Sequence, residues 1–197
     1  MKYLFIGSHT DDIELCCGGT VAKYIEEGHD VICETLSHVY YGRDLTKEWN
    51  ASMSSLAIPN YEFKNFTPRY FHYERQDILQ WLVELREQHQ PDIIFTHSAH
   101  DQHQDHSVVG YESVRAFKNL NLITYCGEWN QFVSEANFYV QLSDEQMQKK
   151  LKALECYASQ QSKHYFDRDF NLSRALLSGA KIGAKYAESF RILNMIG

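Results

Sequence analysis

Two short clusters in this sequence hold residue types that can bind a metal and move protons. The first is Ser8-His9-Thr10-Asp11-Asp12-Ile13-Glu14, which sets a histidine beside two adjacent carboxylates. One histidine and one carboxylate can bind a metal ion, and the second carboxylate is then left over as a base. The second cluster is His103-Gln104-Asp105-His106. If His106 joins His9 and Asp12, the set is two histidines and one carboxylate, the donor number of a zinc hydrolase that keeps a fourth position open. Zinc in such a site polarises a carbonyl and brings the ionisation of a water near neutral pH. Nitrogen and oxygen donors without a thiolate would also admit Fe2+, Co2+ or Mn2+. Asp11 is then placed to accept a proton. His103, three residues before His106, is a candidate to stabilise an oxyanion or protonate a leaving amine. Asp105 would orient His103 or a ligand histidine. Taken singly, these residues have plainer readings. Asp11 and Asp12 suit a helix N-cap and first turn, and His97, His100 and His103 suit a loop exposed to water. Two such clusters together favour the chemistry.

The clusters can meet only if the fold brings them to one rim. Tyr3 to Gly7 is a short apolar run that reads as a buried strand ending in the first cluster. A Cys16-Cys17-Gly18-Gly19 turn follows, and Thr20 to Glu27 has the pattern of an amphipathic helix stopped by Gly28. Asp30 to Ser37 reads as a second strand, so the opening is a βαβ unit of a parallel sheet. Ile93 to Thr96 is another buried strand, with His97 to His106 at its carboxyl end. Parallel strands put both ends on the rim where open α/β sheets bind ligands. His38 to Arg43 reads as a loop near the same rim. Helices are expected over Leu45 to Leu56, Phe71 to Gln88 and Ser107 to Lys118. Strands are expected over Tyr61 to Phe66, Asn121 to Tyr125 and Asn137 to Leu142. Ser143 with Gln146 forms a capping box that starts a helix running to about Gln160, and a last helix is expected from Asp169 to about Ala187, followed by a short apolar tail.

The bulk numbers set the class. The chain has 197 residues, 44% of them hydrophobic, which suits one globular α/β domain over residues 1–197 with no repeat or linker. A net charge of −7 and no basic tail argue against a nucleic-acid partner. No apolar run approaches a membrane span, and Met1-Lys2 leads straight into a strand, so a soluble cytoplasmic protein is expected. The five cysteines are odd in number and form no Cys-x-x-Cys pair, which points to neither a disulfide framework nor a thiolate zinc site.

His9-Thr10-Asp11-Asp12-Ile13-Glu14, followed by Cys17-Gly18-Gly19-Thr20, resembles the His-Pro-Asp-Asp motif of the PIG-L/LmbE-like deacetylases. His103-Gln104-Asp105-His106 is similar to that family's His-x-Asp-His motif. The likeness continues through Gly127-Glu128-Trp129-Asn130, Glu155-Cys156-Tyr157-Ala158-Ser159-Gln160 and Ala184-Lys185-Tyr186-Ala187-Glu188. The resemblance implies a Rossmann-like α/β fold, a mostly parallel sheet with helices on both faces, and a metal-dependent N-deacetylase, usually of zinc. It implies His9, Asp12 and His106 as metal ligands, Asp11 as general base, His103 as catalytic histidine and Asp105 as its neighbouring acid. It also implies an N-acetylated amino-sugar substrate, free or linked to a nucleotide or other carrier, and admits a homo-oligomer. Thr10 departs from the family proline. Proline would fix φ and stiffen the turn, whereas threonine keeps an N–H and a hydroxyl.

Four residues are candidates for substrate contact. Arg43 and Arg69 could bind a phosphate, a nucleotide or a sugar hydroxyl. Trp129 could stack on a sugar face, with Asn130 hydrogen-bonding beside it. Rival readings are a deformylase or non-sugar deacylase using the same metal chemistry, and a metal-containing sugar- or nucleotide-binding protein without turnover. A phosphate cradle at the Gly18-Gly19 turn fits poorly: the turn lacks Gly-x-Gly-x-x-Gly and a P-loop Lys-Ser pair, and two acids precede it.

Overall fold

The computed structural model describes residues 1–127, 129–131 and 136–196. Seven strands form one sheet. β1 (Lys2–His9), β2 (Asp30–Ser37), β5 (Asn60–Phe63), β6 (Ile93–Thr96) and β7 (Asn121–Tyr125) are parallel, and β8 (Phe138–Leu142) and β9 (Tyr186–Asn194) complete the sheet. The spatial order is β5-β2-β1-β6-β7-β9-β8. From β1 the chain moves outward through β2 and β5, then returns to place β6 on the other side. The junction of β1 and β6 is therefore the topological switch point, and the two clusters follow these two neighbouring strands.

Alternation along β1 explains the layers. Tyr3 and Phe5 face one core, shared with α1 (Asp12–Glu26), α2 (Thr46–Ser55), α5 (Asp144–Glu155) and α6 (Arg168–Ala180). Leu4 and Ile6 face the other, shared with α3 (Arg75–His89) and α4 (Gln104–Ala116). Apolar residues on both faces of a central strand are what a sheet covered on both sides requires.

Several boundaries differ from the sequence reading. The Gly-Gly turn lies inside α1, which breaks at Cys17 (φ −147°, ψ 21°). A buried ion pair spans the break. Glu188 accepts the Gly19 and Thr20 N–H groups at 3.1 and 2.7 Å, while Lys150 Nζ donates to Glu188 at 2.6 Å and to the Leu15 carbonyl at 2.9 Å. The carboxylate caps the second half of the helix and the ammonium closes the first. Gly19 has no room for a side chain: a Cβ there would lie 2.3 Å from Leu142 Cδ1.

Residues 38–43 are not wholly loop. β3 (Val39–Tyr40) and β4 (Arg43–Asp44) form a hairpin whose turn residues Tyr41 and Gly42 both have positive φ, the geometry of a tight two-residue connection. α4 starts three residues earlier than expected, so His103 is its N-cap and His106 lies in its first turn. The Ser143–Gln146 capping box is present, but α5 stops at Glu155. The expected last helix ends at Ala180. Gly183 (φ 70°) then turns the chain into β9, which inserts antiparallel between β7 and β8 where a short tail was expected. Among the described residues, no helix is long and apolar enough to cross a membrane.

Candidate metal centre and cleft

The end of β1, the end of β6 and the start of α4 converge on the Asp12 carboxylate. Its Oδ2 accepts the His9 N–H at 2.7 Å and lies 3.4 Å from His9 Nδ1, while Oδ1 lies 3.3 Å from His106 Nε2. Asp12 thus stands between the other two candidate ligands, with His9 at one carboxylate oxygen and His106 at the other. The structure adds His97, which directly follows β6 and is buried instead of exposed. Its Nε2 takes the Ser8 N–H at 3.0 Å and lies 3.1 Å from Asp12 Oδ2.

Among the described residues, two donor groups are geometrically close enough to hold an ion: His9, His103 and His106, and Asp12, His97 and His106. Hydrogen bonding narrows them. His97 Nε2 already receives the Ser8 N–H. His103 Nδ1 accepts the Asp105 N–H at 3.2 Å as the α4 N-cap, so this assignment puts its ring proton on Nε2. That leaves His9, Asp12 and His106, drawn from the two groups, and their imidazole and carboxylate donors fit a zinc-like ion once the histidines are deprotonated.

The outer partners are carboxylates. Asp105 faces His9 Nε2 at 3.1 Å and also accepts the Arg69 N–H at 2.7 Å, so its carboxylate orients the candidate ligand His9 and not His103. Its Oδ1 is buried without a hydrogen-bond partner among the described residues. Asp101, which sequence reasoning missed, holds His106 Nδ1 at 3.1 Å and accepts the His103 N–H at 2.8 Å. Its signal was spacing: Asp101 lies two and five residues before the two motif histidines.

Asp11 is the N-cap of α1, yet its side chain makes no capping hydrogen bond, so the carboxylate stays available. It lines a cleft of about 520 Å³ together with Asp12, His9, His103, Asp105 and His106. The β3–β4 hairpin overhangs one side with Val39, Tyr40 and Tyr41. Arg69, Trp129 and Asn130 also line the cleft. Arg43 does not; it pairs with Glu48 at 3.4 Å on the surface. Trp129 stacks on Tyr165 with ring centroids 5.7 Å apart, and Arg174 covers it at 4.5 Å. Glu128, part of the aromatic motif, lies outside the described residues. Lys163 was not foreseen. It lines the cleft and sits 4.1 Å over the Tyr40 ring.

A family model described as PIG-L: GlcNAc-PI de-N-acetylase matches residues 4–117, more than half of the chain, from β1 to the end of α4. This chain belongs to that PIG-L family. The match contains both histidine–carboxylate clusters, while Trp129, Tyr157 and Lys163 lie beyond it. Solved structures share the fold. The N,N′-diacetylchitobiose deacetylase from Pyrococcus horikoshii is 24% identical with a TM-score of 0.81, over 98% of this chain and 83% of that one. The zinc-inhibited form of teicoplanin deacetylase Orf2 is 16% identical with a TM-score of 0.80, over 96% and 97%. GalB, the 4-carboxy-2-hydroxymuconate hydratase of Pseudomonas putida KT2440, is 18% identical with a TM-score of 0.80, over 100% and 98%. A hydratase on the same scaffold shows that the fold alone does not choose the reaction.

Charge in this PIG-L member is arranged around Asp12. Burial opposes its ionisation, but His106 and His97 outweigh this and hold the carboxyl well below the usual range. Burial also opposes charge on His9, yet its bonds to Asp105 and Asp12 carry it up to about 9. His106 is carried up to about 10 against burial by Asp12 and Asp101. Burial, with His106 and His9 nearby, pushes His103 down to about 4, so it is neutral at pH 7. Burial and the Asp12 charge push Asp11 up, which makes it the more basic carboxylate of the pair.

These directions give an expected result. The metal-free protein at pH 7 carries protons on both His9 and His106, and ligation requires neutral imidazoles. Uptake of zinc at pH 7 should release roughly two protons per ion, and apparent affinity should rise with pH until both histidines are deprotonated. Calorimetry in buffers of different ionisation enthalpy measures the release. A value near zero would remove one or both histidines from the ligand set.

Proposed function

We propose that this chain is a zinc-dependent hydrolase that removes an N-acetyl group from an amino sugar or an amino-sugar conjugate. The observation that carries this reading is the convergence of His9, Asp12 and His106 beside an uncommitted carboxylate, Asp11, in an open cleft. Zinc, when bound by those three residues, supplies a Lewis acid for the amide carbonyl. Asp11 accepts the proton of the attacking water. His103, neutral and carrying its proton on Nε2, donates a hydrogen bond to the developing oxyanion, and the proton that Asp11 has taken from the water passes on to the leaving amine. Asp105 and Asp101 hold the rings of His9 and His106 from behind. The products are acetate and a primary amine.

The mouth suits a sugar. Trp129, Tyr40 and Tyr41 line the cleft with aromatic surface, and Asn130 offers both a donor and an acceptor. Arg69 and Lys163 bring positive charge, Arg69 with its guanidinium 4.4 Å over the Tyr41 ring. Arg69 also donates to the Tyr41 hydroxyl, and Lys163 lies near the Asp11 charge and Tyr165, so both bring positive charge to the part of the cleft where oxygens of a sugar, a nucleotide or another carrier would lie.

Zinc-loaded protein should release acetate and primary amine in equal amounts from N-acetylglucosamine or N,N′-diacetylchitobiose, read by proton NMR and an amine-reactive dye. Fully loaded protein that releases neither would overturn the amino-sugar reading.

A further inference from the structure

The β1–α1 turn carries Asp11 on a threonine, where proline would have fixed φ. The residue that steadies this turn comes from the far end of the chain. Tyr157 is fully buried just past α5, and its hydroxyl donates to the Thr10 carbonyl. The first intrahelical bond of α1 begins one residue later, from Leu15 N–H to the Asp11 carbonyl at 3.1 Å. The Thr10 carbonyl therefore sits just outside the helix and takes a partner from outside it.

The same hydroxyl is 2.6 Å from Glu14 Oε1, which also accepts from Ser52 Oγ at 2.5 Å. Glu14 and Ser52 are fully buried. Tyr157 has a single hydroxyl proton. When it goes to Thr10, the Glu14 contact must be completed from the Glu14 side. The result is a chain of hydrogen bonds from α2 through α1 to the turn, with Tyr157 as its hub. The Tyr157 ring is braced by Phe166 at 5.9 Å, and its backbone is tied to Leu154 and Gln160.

We propose that Tyr157 is a positioning residue for the hydrolysis: by gripping the Thr10 carbonyl, it sets the direction in which Asp11 presents its carboxylate to the cleft. The Thr10 carbonyl and the Asp11 nitrogen belong to one planar peptide unit. Fixing the oxygen restrains that plane, and the Leu15 N–H on the Asp11 carbonyl restrains the next one, so together they set the Cα–Cβ direction of Asp11. No capping bond anchors the Asp11 side chain, so its aim depends on the backbone beneath it. The inference rests on the reading of Asp11 as the base.

The test is a double-mutant cycle on zinc-loaded protein with N,N′-diacetylchitobiose, joined to hydrogen exchange. Tyr157→Phe removes one oxygen and keeps the ring. It should lower kcat about tenfold, within the range of orientation losses, while KM and zinc content stay within about twofold. In an Asp11→Asn background the same change should cost no more than about twofold further, because no aim is left to lose. Amide exchange over residues 9–12 should quicken in Tyr157→Phe while the β6 and β7 amides hold. An unchanged kcat, or losses that multiply in the double variant, would overturn the proposal. If the wild type shows no turnover, the hydrolase reading fails on its own, and unchanged exchange over residues 9–12 then refutes the grip separately. Should Tyr157→Phe fail to fold, Ser52→Ala loosens the same chain from its other end and should move kcat and exchange in the same directions.

Discussion

Asp11→Asn should reduce turnover by about 10²–10⁴-fold, the usual worth of a positioned acid–base group, and leave zinc content at one equivalent. The substitution is nearly isosteric, and asparagine suits an N-cap as well as aspartate does. The Asp11 side chain makes no capping hydrogen bond that could be lost. What disappears is the proton acceptor. Burial and the neighbouring Asp12 charge raise the Asp11 carboxyl, which makes its carboxylate a stronger base. Asp12 is held ionised by His106 and His97 and is engaged by three histidines, so it cannot take over. Steady-state kinetics together with elemental analysis checks this. Turnover within a few-fold of wild type, at equal zinc, would sink the base assignment.

His106→Ala should abolish stoichiometric metal binding. His106 stands in both groups of convergent donors, so among the described residues no alternative set survives its removal. Loss of an outer partner alone typically costs roughly 10–100-fold in metal affinity, and loss of a ligand should cost more. Wild type dialysed against zinc should retain about one equivalent, and the variant almost none. Stability gives an independent readout. A ligand at 100 times its Kd stabilises by about 2.7 kcal/mol, so zinc should raise the wild-type Tm and leave the variant's unmoved. The metal-free variant should itself be less stable, because Asp12 and Asp101 lose the imidazole between them and remain as buried carboxylates. Zinc retained by His106→Ala would separate the two clusters and remove the proposed centre.

Much of this is legible in the residues themselves. β2, β6 and β7 stand at the expected residues because short apolar runs bounded by polar turns admit little else. The parallel sheet followed from the βαβ opening, and the sharing of one rim by His9, Asp12 and His106 followed from the parallel sheet. The Ser143–Gln146 cap is a local motif, read locally.

What tertiary structure decided involves partners distant in sequence. The break in α1 is capped by Glu188 and Lys150, which no window around Cys17 contains. β9 was hidden because its boundary is set by Gly183 and by pairing with β7 and β8, while its own residues also suit a helix. Asp105 turned to His9 and not to its sequence neighbour His103, because the N-cap geometry of α4 uses His103 Nδ1 for the Asp105 backbone N–H. His97 was buried by the close pairing of β1 and β6, which puts its ring on the Ser8 N–H. The sequence by itself determined which atoms could bind a metal and which rim they would share, since residue type and strand polarity are local properties. Only the folded chain decided which lone pairs remain free and how Asp11 is aimed, since both depend on hydrogen bonds closed by residues brought in from across the fold.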